Sequence, residues 1–295
     1  MAAMTALTPE AEPMAGPKKR PASPFALFLF STDAQLIQLA VQGGVAGIVV
    51  DWEHRGKAQR QAGFDTQISQ ETLEDLRRVR RCTDACVVCR INPFGPWSRG
   101  EVEEAIDAGA DEILLPMVRS PEEVEQVLAW VRERCGLGIL IETLEAVNNC
   151  HDLARLPLTR VYLGLQDLAI ARGTPNPFRA IADGIVERVR RAFHVPFGFA
   201  GLTLPEAGAP IPCRLLIAEM ARLSCSFSFL RRSFLRDIVG KDPRREIPPL
   251  LEAIHEAFQH PPAIREAMHR ELLATIDAAE PFFASRNVPA ARGGQ

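Results

Sequence analysis

Leu137-Gly138-Ile139-Leu140-Ile141-Glu142, followed after a helix-length interval by Val161-Tyr162-Leu163-Gly164-Leu165-Gln166-Asp167, is the stretch that decides the fold. Each half is a short apolar run closed by an acid, and the interval between the acids matches one strand-plus-helix unit of a parallel barrel. Glu142 and Asp167 are therefore expected at one rim. Together they offer two hard oxygen ligands and leave other coordination positions to water and a substrate oxygen, which suits Mg²⁺ or Mn²⁺. Two helix-capping or solvated acids remain the alternative at this point.

The same alternation continues on both sides. Apolar runs at 25–30, 46–50, 85–91, 112–116, 137–141, 160–163, 195–200 and 225–230 give eight candidate strands, with amphipathic stretches between them. The best marked helix is 120–134, where Ser120-Pro121-Glu122-Glu123 supplies an N-cap, a proline at the first helical position and a capping-box acid. No dinucleotide-type glycine fingerprint follows the first run, so an α/β fold of the (β/α)8 TIM-barrel type is expected, with an open doubly wound sheet as runner-up. Residues 1–23, rich in Ala, Pro and Met, read as a disordered N-terminal tail, 24–240 as the barrel and 241–295 as a helical C-terminal extension. In the extension, helices over 248–260 and from 262 to 283 carry apolar stripes (Leu250, Leu251, Ile254, Phe258; then Ile264, Met268, Leu272, Ile276) that can cover the chain's own barrel or a neighbouring subunit.

Composition narrows the function classes. With 47% hydrophobic and 24% charged residues and a net charge of -3, the 295-residue chain offers no basic stripe for nucleic acid. The apolar run at 25–30 is too short to cross a bilayer and nothing before it has the layout of a signal peptide, so no membrane partner and a cytoplasmic location are expected. The seven cysteines are odd in number and scattered, which favours reduced thiols; Cys86 and Cys89, three apart on one strand, face opposite sides and make a poor zinc pair. Lysine occurs only at Lys18, Lys19, Lys57 and Lys241, the last two in polar, loop-like sequence. A Schiff-base aldolase needs a desolvated lysine, so metal-assisted chemistry is expected instead.

Strand ends of a barrel build its site. Here they deliver Asp51-Trp52-Glu53-His54-Arg55, then Arg90 and Asn92, then Arg119, Glu142, Asp167 and Arg231-Arg232. Gly201 and the Arg231-Arg232 pair fall after strands seven and eight, where many barrels hold phosphate, and point to an anionic second substrate, a phosphorylated or carboxylated aldehyde. Pairing of these arginines with acids of the C-terminal helices is the competing reading.

Asp51-Trp52-Glu53-His54, Cys89-Arg90-Ile91-Asn92, Asp107-Ala108-Gly109-Ala110 with Leu115-Pro116-Met117-Val118, Ile141-Glu142-Thr143 with Ala146-Val147-Asn148, and Gly164-Leu165-Gln166-Asp167-Leu168-Ala169 occur in that order. In this order they resemble the HpcH/HpaI aldolase and citrate lyase beta-like family of phosphoenolpyruvate/pyruvate-binding barrels. The resemblance implies a divalent-metal-dependent lyase that makes or breaks a carbon-carbon bond beside pyruvate or a related 2-oxo acid. It assigns Glu142 and Asp167 to the metal, Arg90 to the enolate, His54 to proton abstraction, Asp107 to support of that histidine and Gln166 to the substrate. A Lewis-acidic ion and a fixed guanidinium both suit a developing oxyanion, and a His near a carboxylate suits proton transfer near neutral pH. His54 and Pro116-Met117-Val118 look like the aldolase branch rather than the thioester branch. The chain departs from the aldolases at Leu140, where they have Gln, and at Leu165 and Ala169, where Pro and Ser are usual. The implied partners are a small 2-oxo acid and an aldehyde, in a homo-oligomer of trimeric or hexameric type. A malyl- or citryl-CoA-type thioester lyase and a catalytically silent oxo-acid-binding barrel are the rivals.

Overall fold

The computed structural model describes residues 25–63 and 69–286. The expected N-terminal tail and residues 287–295 lie outside the described residues. Nine parallel strands form one sheet: β1 (Ala26–Phe30), β2 (Gly47–Asp51), β3 (Cys86–Arg90), β4 (Glu112–Leu115), β5 (Gly136–Ile141), β6 (Arg160–Leu163), β7 (Phe197–Phe199), β8 (Gly201–Leu202) and β9 (Phe227–Leu230). Their order is β7-β6-β5-β4-β3-β2-β1-β9-β8. β7 falls within the segment 195–200 expected as strand seven, and β8 follows directly beyond it, the two separated by Ala200, whose φ of 50° lies in the left-handed region. β7 pairs with β6 and β8 with β9, so together they join both ends of the sheet and nearly close a TIM-like barrel. Across the seam the Ser226 N–H donates to the Phe197 carbonyl (2.9 Å) and the Ser228 hydroxyl to the Ala200 carbonyl (2.6 Å).

Strand alternation sorts the core into two layers. Outward residues such as Leu27, Ile48, Val87, Ile113, Ile139 and Val161 pack under the helices, while Phe28, Val49, Val88, Leu114, Leu140, Tyr162, Phe227 and Phe229 fill the barrel. Cys89 belongs to the outer layer and Cys86 packs against the inner one, on opposite faces as their spacing requires, and all seven cysteines are free. Gly47 makes room for this filling: a Cβ there would stand 2.5 Å from the Phe28 ring. At the bottom, the Arg160 guanidinium pairs with Glu112 (2.5 Å) and lies 4.1 Å from the centre of the Phe28 ring.

Helices return the chain from the top of each strand to the bottom of the next. The helix Pro121–Val131 starts after Ser120 with Pro at its first position, as expected. Its capping box does not form. Glu123 instead accepts the Arg119 N–H (3.0 Å) and pairs with the Arg119 guanidinium, because that charge lies one residue further back.

The C-terminal helices are Pro243–Gln259, Pro262–Ala278 and Glu280–Arg286. The first begins earlier than its prolines suggest and carries Pro248 and Pro249 inside. Asp242 caps it by accepting the Arg244 N–H (3.0 Å), and Ile247, Leu250 and Ile254 bury one continuous face. This face rests on the helix Ala34–Gly43, where a Cβ at Gly43 would come within 2.8 Å of the Pro243 carbonyl. The buried Glu219 of the helix Cys213–Arg222 bonds His269 Nδ1 at 2.8 Å, and the Asn176 amide donates to the Ile276 carbonyl at 3.1 Å. Of the two stripes, Leu250, Ile254, Leu272 and Ile276 are buried within the chain itself, while Ile264 is exposed. Among the described residues, no helix is long and apolar enough to cross a membrane.

Candidate active site

The inward parity that fills the barrel with aromatic rings also decides what stands above them. Counting upward by two from Val49, Val88 and Leu140 gives Asp51, Arg90 and Glu142, which form a polar layer on an apolar floor of Leu140, Tyr162 and Phe229. A cavity of about 720 Å³ opens there, at the ends of the strands, lined by Asp51, Arg90, Glu142, Gln166, Asp167, Arg231 and Arg232 among others.

Arg90 is held rigidly. Its Nε donates to Asp51 Oδ1 (2.8 Å), Nη2 to Asp51 Oδ2 (2.5 Å), and Nη1 lies 3.2 Å from Glu53 Oε2. Burial opposes the charge on Asp51, but the Arg90 guanidinium more than offsets it and holds that carboxyl down at about 2. Phe30 stands between two guanidinium groups, with Arg231 at 4.6 Å and Arg90 at 5.3 Å from its centre. Burial and the neighbouring Arg90 both depress the Arg231 pKa.

Glu142 follows β5 and is buried. Its Oε1 accepts the Met117 N–H at 2.9 Å, and a Cβ at Gly164 would stand 2.2 Å from Oε2, so only glycine fits there. Burial, and then the charges of Asp167 and Glu53, push its carboxyl up to about 8. Asp167 sits in the first turn of the helix Leu165–Arg172. Its Oδ1 accepts Arg60 Nε (2.7 Å), and Gln61 Nε2 reaches Oδ1 (3.1 Å) and Oδ2 (3.0 Å).

These donors come from the end of the short helix Lys57–Arg60 after β2 and from its C-cap, Gln61, neither of which carries a motif that marks it for the site. Lys57 is only 2% exposed, and its Nζ lies 2.9 Å from Glu53 Oε2. The expectation that it sits in a solvated loop is therefore overturned, since the one-turn spacing from Glu53 folds it inward as an ion pair. Burial and Arg90 both lower its pKa. The placement of the lysines thus gives no argument against imine chemistry. Arg60 Nη2 also bonds Glu53 Oε1 at 2.6 Å. Glu71, twenty residues after Asp51 in the sequence, lines the same cavity and accepts the Asp51 N–H through Oε2 (2.6 Å). Burial, with the charges of Asp51 and Asp75, raises it to about 7 against the pull of that bond. Its long separation from Asp51 left no local signal.

Two expected members are not brought in. His54 is exposed and outside the cavity, its Nδ1 on the Trp52 carbonyl at 2.8 Å. The Asn92 amide oxygen accepts the N–H groups of both His54 and Arg55 (3.0 and 2.8 Å) and turns the chain there, so Glu53 points in and His54 out. Asp107 is the last residue of the helix Ser98–Asp107, which runs from the top of β3 back towards the start of β4. It therefore lies at the opposite end of the barrel and does not support His54 within this chain.

Among the described residues no three or more His, Cys, Asp or Glu side chains gather as a ready metal cluster. The donor chemistry nevertheless fits a hard divalent cation: two carboxylates, with Glu142 raised first by burial and then by the charge of Asp167, and a buried Gln61 Oε1 without a hydrogen-bond partner among the described residues. Gln166 Nε2 is likewise buried and unpartnered among them. On the far side of Arg60 a second cavity of about 310 Å³ is lined by Arg55, Phe94, Trp97, Met117 and Arg119, with Arg55 stacked 4.6 Å above Trp97.

Residues 25–179 match the profile of a family described as HpcH/HpaI aldolase/citrate lyase. A (3S)-malyl-CoA thioesterase from Cereibacter sphaeroides is 29% identical over 161 residues, covering 52% of this chain and 53% of that protein. The chain thus aligns with about half the length of that curated relative. Among solved structures, a tryptophan synthase from M. tuberculosis superposes with a TM-score of 0.54 at 15% identity, covering 78% of this chain and 93% of that one. The citrate synthase SbnG gives 0.53 at 18% identity, with 80% and 95% covered, and RipC from Yersinia pestis 0.50 at 16%, with 82% and 99% covered. At these identities the structures speak for the barrel alone.

Proposed function

The chain belongs to the HpcH/HpaI aldolase/citrate lyase family, and on that premise we propose that it is a divalent-metal-dependent lyase acting on a 4-hydroxy-2-oxo acid, with an Mg²⁺ or Mn²⁺ ion on Glu142 and Asp167. The observation that carries this reading is the buried Glu142–Asp167 pair sharing one cavity with an arginine fixed by Asp51. Cleavage requires a base to take the hydroxyl proton at C4. The C3–C4 bond then breaks, the aldehyde leaves, and the electron pair becomes the enolate of the oxo acid, which is finally protonated at C3. A cation held by Glu142 and Asp167, with Gln61 Oε1 as a neutral oxygen, would supply Lewis acidity to the 2-oxo group.

The remaining roles fall to this chain's own residues. Arg90 donates two of its roughly five N–H groups to Asp51 and ion-pairs Glu53 through Nη1, which leaves fixed N–H donors for the developing oxyanion. Glu71, raised to about 7, is the proton-transfer group in the position expected of His54. Arg231 and Arg232, with Gln166, bind the carboxylated or phosphorylated end of the substrate.

The test is release of pyruvate from a panel of 4-hydroxy-2-oxo acids, read by coupled reduction, with Mg²⁺ or Mn²⁺, then with EDTA, and for Glu142→Ala. Metal-dependent release that the substitution abolishes is the expected result; release that survives both EDTA and the substitution refutes the reading. A thioester lyase is the second reading, favoured by the arginine- and tryptophan-lined second cavity beside the site and by the name of the curated relative. It requires turnover of a malyl- or citryl-CoA-type ester, read as release of acetyl-CoA, by a chain that releases no pyruvate from the 4-hydroxy-2-oxo acids. The chain is proposed to work with small molecules only, as a homo-oligomer in the cytoplasm.

A further inference from the structure

The unusual member of the site is Arg60. It and Gln61 come from the segment after β2, on one wall, and reach across to Asp167 on another, so that among the described residues all three side-chain hydrogen bonds to that carboxylate come from two adjacent residues. Arg60 is 18% exposed in its side chain and bridges Glu53 and Asp167 at 2.6 and 2.7 Å. Glu142, next to Asp167, accepts the Met117 N–H and among the described residues has no ion-pair partner. One acid of the pair is therefore neutralised and the other is not. A single delocalised positive charge at this spot satisfies Asp167, whereas a divalent ion would satisfy both acids but meets the guanidinium first.

We propose that Arg60 is a tethered counter-cation for Asp167 that a divalent ion must displace, so that this residue sets the metal affinity of the site. The proposal rests on the metal reading above and deepens it. Two features make the displacement feasible. Arg60 keeps its second anchor, Glu53, when it leaves Asp167, and its other side borders the second cavity, which gives the guanidinium somewhere to move. Glu53 also retains Lys57 and Arg90, so removing Arg60 does not strand a buried charge. Gln61 follows Arg60 directly, and its Oε1, buried and without a partner among the described residues, is an oxygen that could receive the incoming ion.

Mn²⁺ binding to the full chain, followed by the loss of the free-ion electron paramagnetic resonance signal, tests this without any substrate. The proteins are wild type, Arg60→Gln, Arg60→Lys and the double variant Arg60→Gln/Glu142→Gln, each checked by circular dichroism. Arg60→Gln is expected to bind one Mn²⁺ at least about tenfold more tightly than wild type, roughly 1.4 kcal/mol. Arg60→Lys, which keeps the charge, should stay near wild type, and the double variant should lose the gain. Equal or weaker binding by Arg60→Gln, with binding still dependent on Glu142, overturns the proposal and leaves the metal reading standing. No binding by any of the four proteins at millimolar Mn²⁺ overturns both. A gain in Arg60→Gln that survives the second substitution places the ion elsewhere and also overturns the proposal.

Discussion

Glu71→Gln converts the least expected feature of the site into a measurable stability term. The Glu71 carboxyl rises from 4.5 to about 7 in the folded chain, first because of burial. Between those values the native state holds a proton that the unfolded chain has lost, so stability falls as the pH rises. The stabilisation is fully present below about pH 4.5 and is lost as the pH passes through about 7. At roughly 1.36 kcal/mol per pKa unit, the span from 4.5 to about 7 gives an upper bound of about 3 kcal/mol. The glutamine keeps an acceptor for the Asp51 N–H but cannot titrate. Urea unfolding of both proteins at half-unit steps from pH 4.5 to 8 isolates this term, because every other titrating group is common to the two. The variant should gain on wild type by up to about 3 kcal/mol across the window. A difference that stays flat with pH would falsify the burial argument for Glu71.

Other expectations follow from single contacts. Gly164→Ala drives a Cβ to 2.2 Å from Glu142 Oε2 and should weaken Mn²⁺ binding strongly while costing about 1–3 kcal/mol of stability, both read on the purified protein. Glu112→Ala leaves the half-buried Arg160 unpaired beside Phe28 and should cost about 1–3 kcal/mol in urea unfolding, with little change in metal binding. Asn176→Ala strands the Phe178 N–H and removes the side-chain bond to the Ile276 carbonyl, and should cost about 2 kcal/mol, with early loss of hydrogen-exchange protection in the C-terminal helices. His54→Ala, with its ring outside the cavity, should change pyruvate release by less than about tenfold, whereas Arg90→Ala should abolish it; loss on a similar scale for both would reinstate the histidine.

All eight strands were legible because their apolar runs are short and helical stretches of regular spacing separate them. The rim positions of Arg90 and Glu142 were legible for the same reason, since inward residues at a strand's end have a fixed parity, whereas Asp167 is placed by the helix Leu165–Arg172 that follows β6 directly. Lys57, Arg60, Gln61 and Glu71 were not. They sit in a segment whose polar composition looks like solvated loop, and only the charges already assembled across the barrel, Glu53 and Asp167 above all, draw it inward. His54 failed because the Asn92 side chain, a partner 38 residues away, fixes the turn that points the ring out. Asp107 failed on direction: a helix antiparallel to the strands carries its last residue away from the rim. The prolines misplaced the start of the last helical layer because a buried apolar face outweighed them.

The β1–β9 ladder, which pairs Ala26 with Phe227, has a consequence for how the chain can be divided. Residues 25–179, the part that matches the family profile, end before β7. Cut there, the sheet would present β1 and β6 as raw edges, each with a row of unmatched N–H and C=O groups. Such a fragment should aggregate when expressed alone. The remainder, which carries the weaker resemblance, should bring it back into solution when co-expressed, because Phe197–Leu230 supplies the strands that meet both edges.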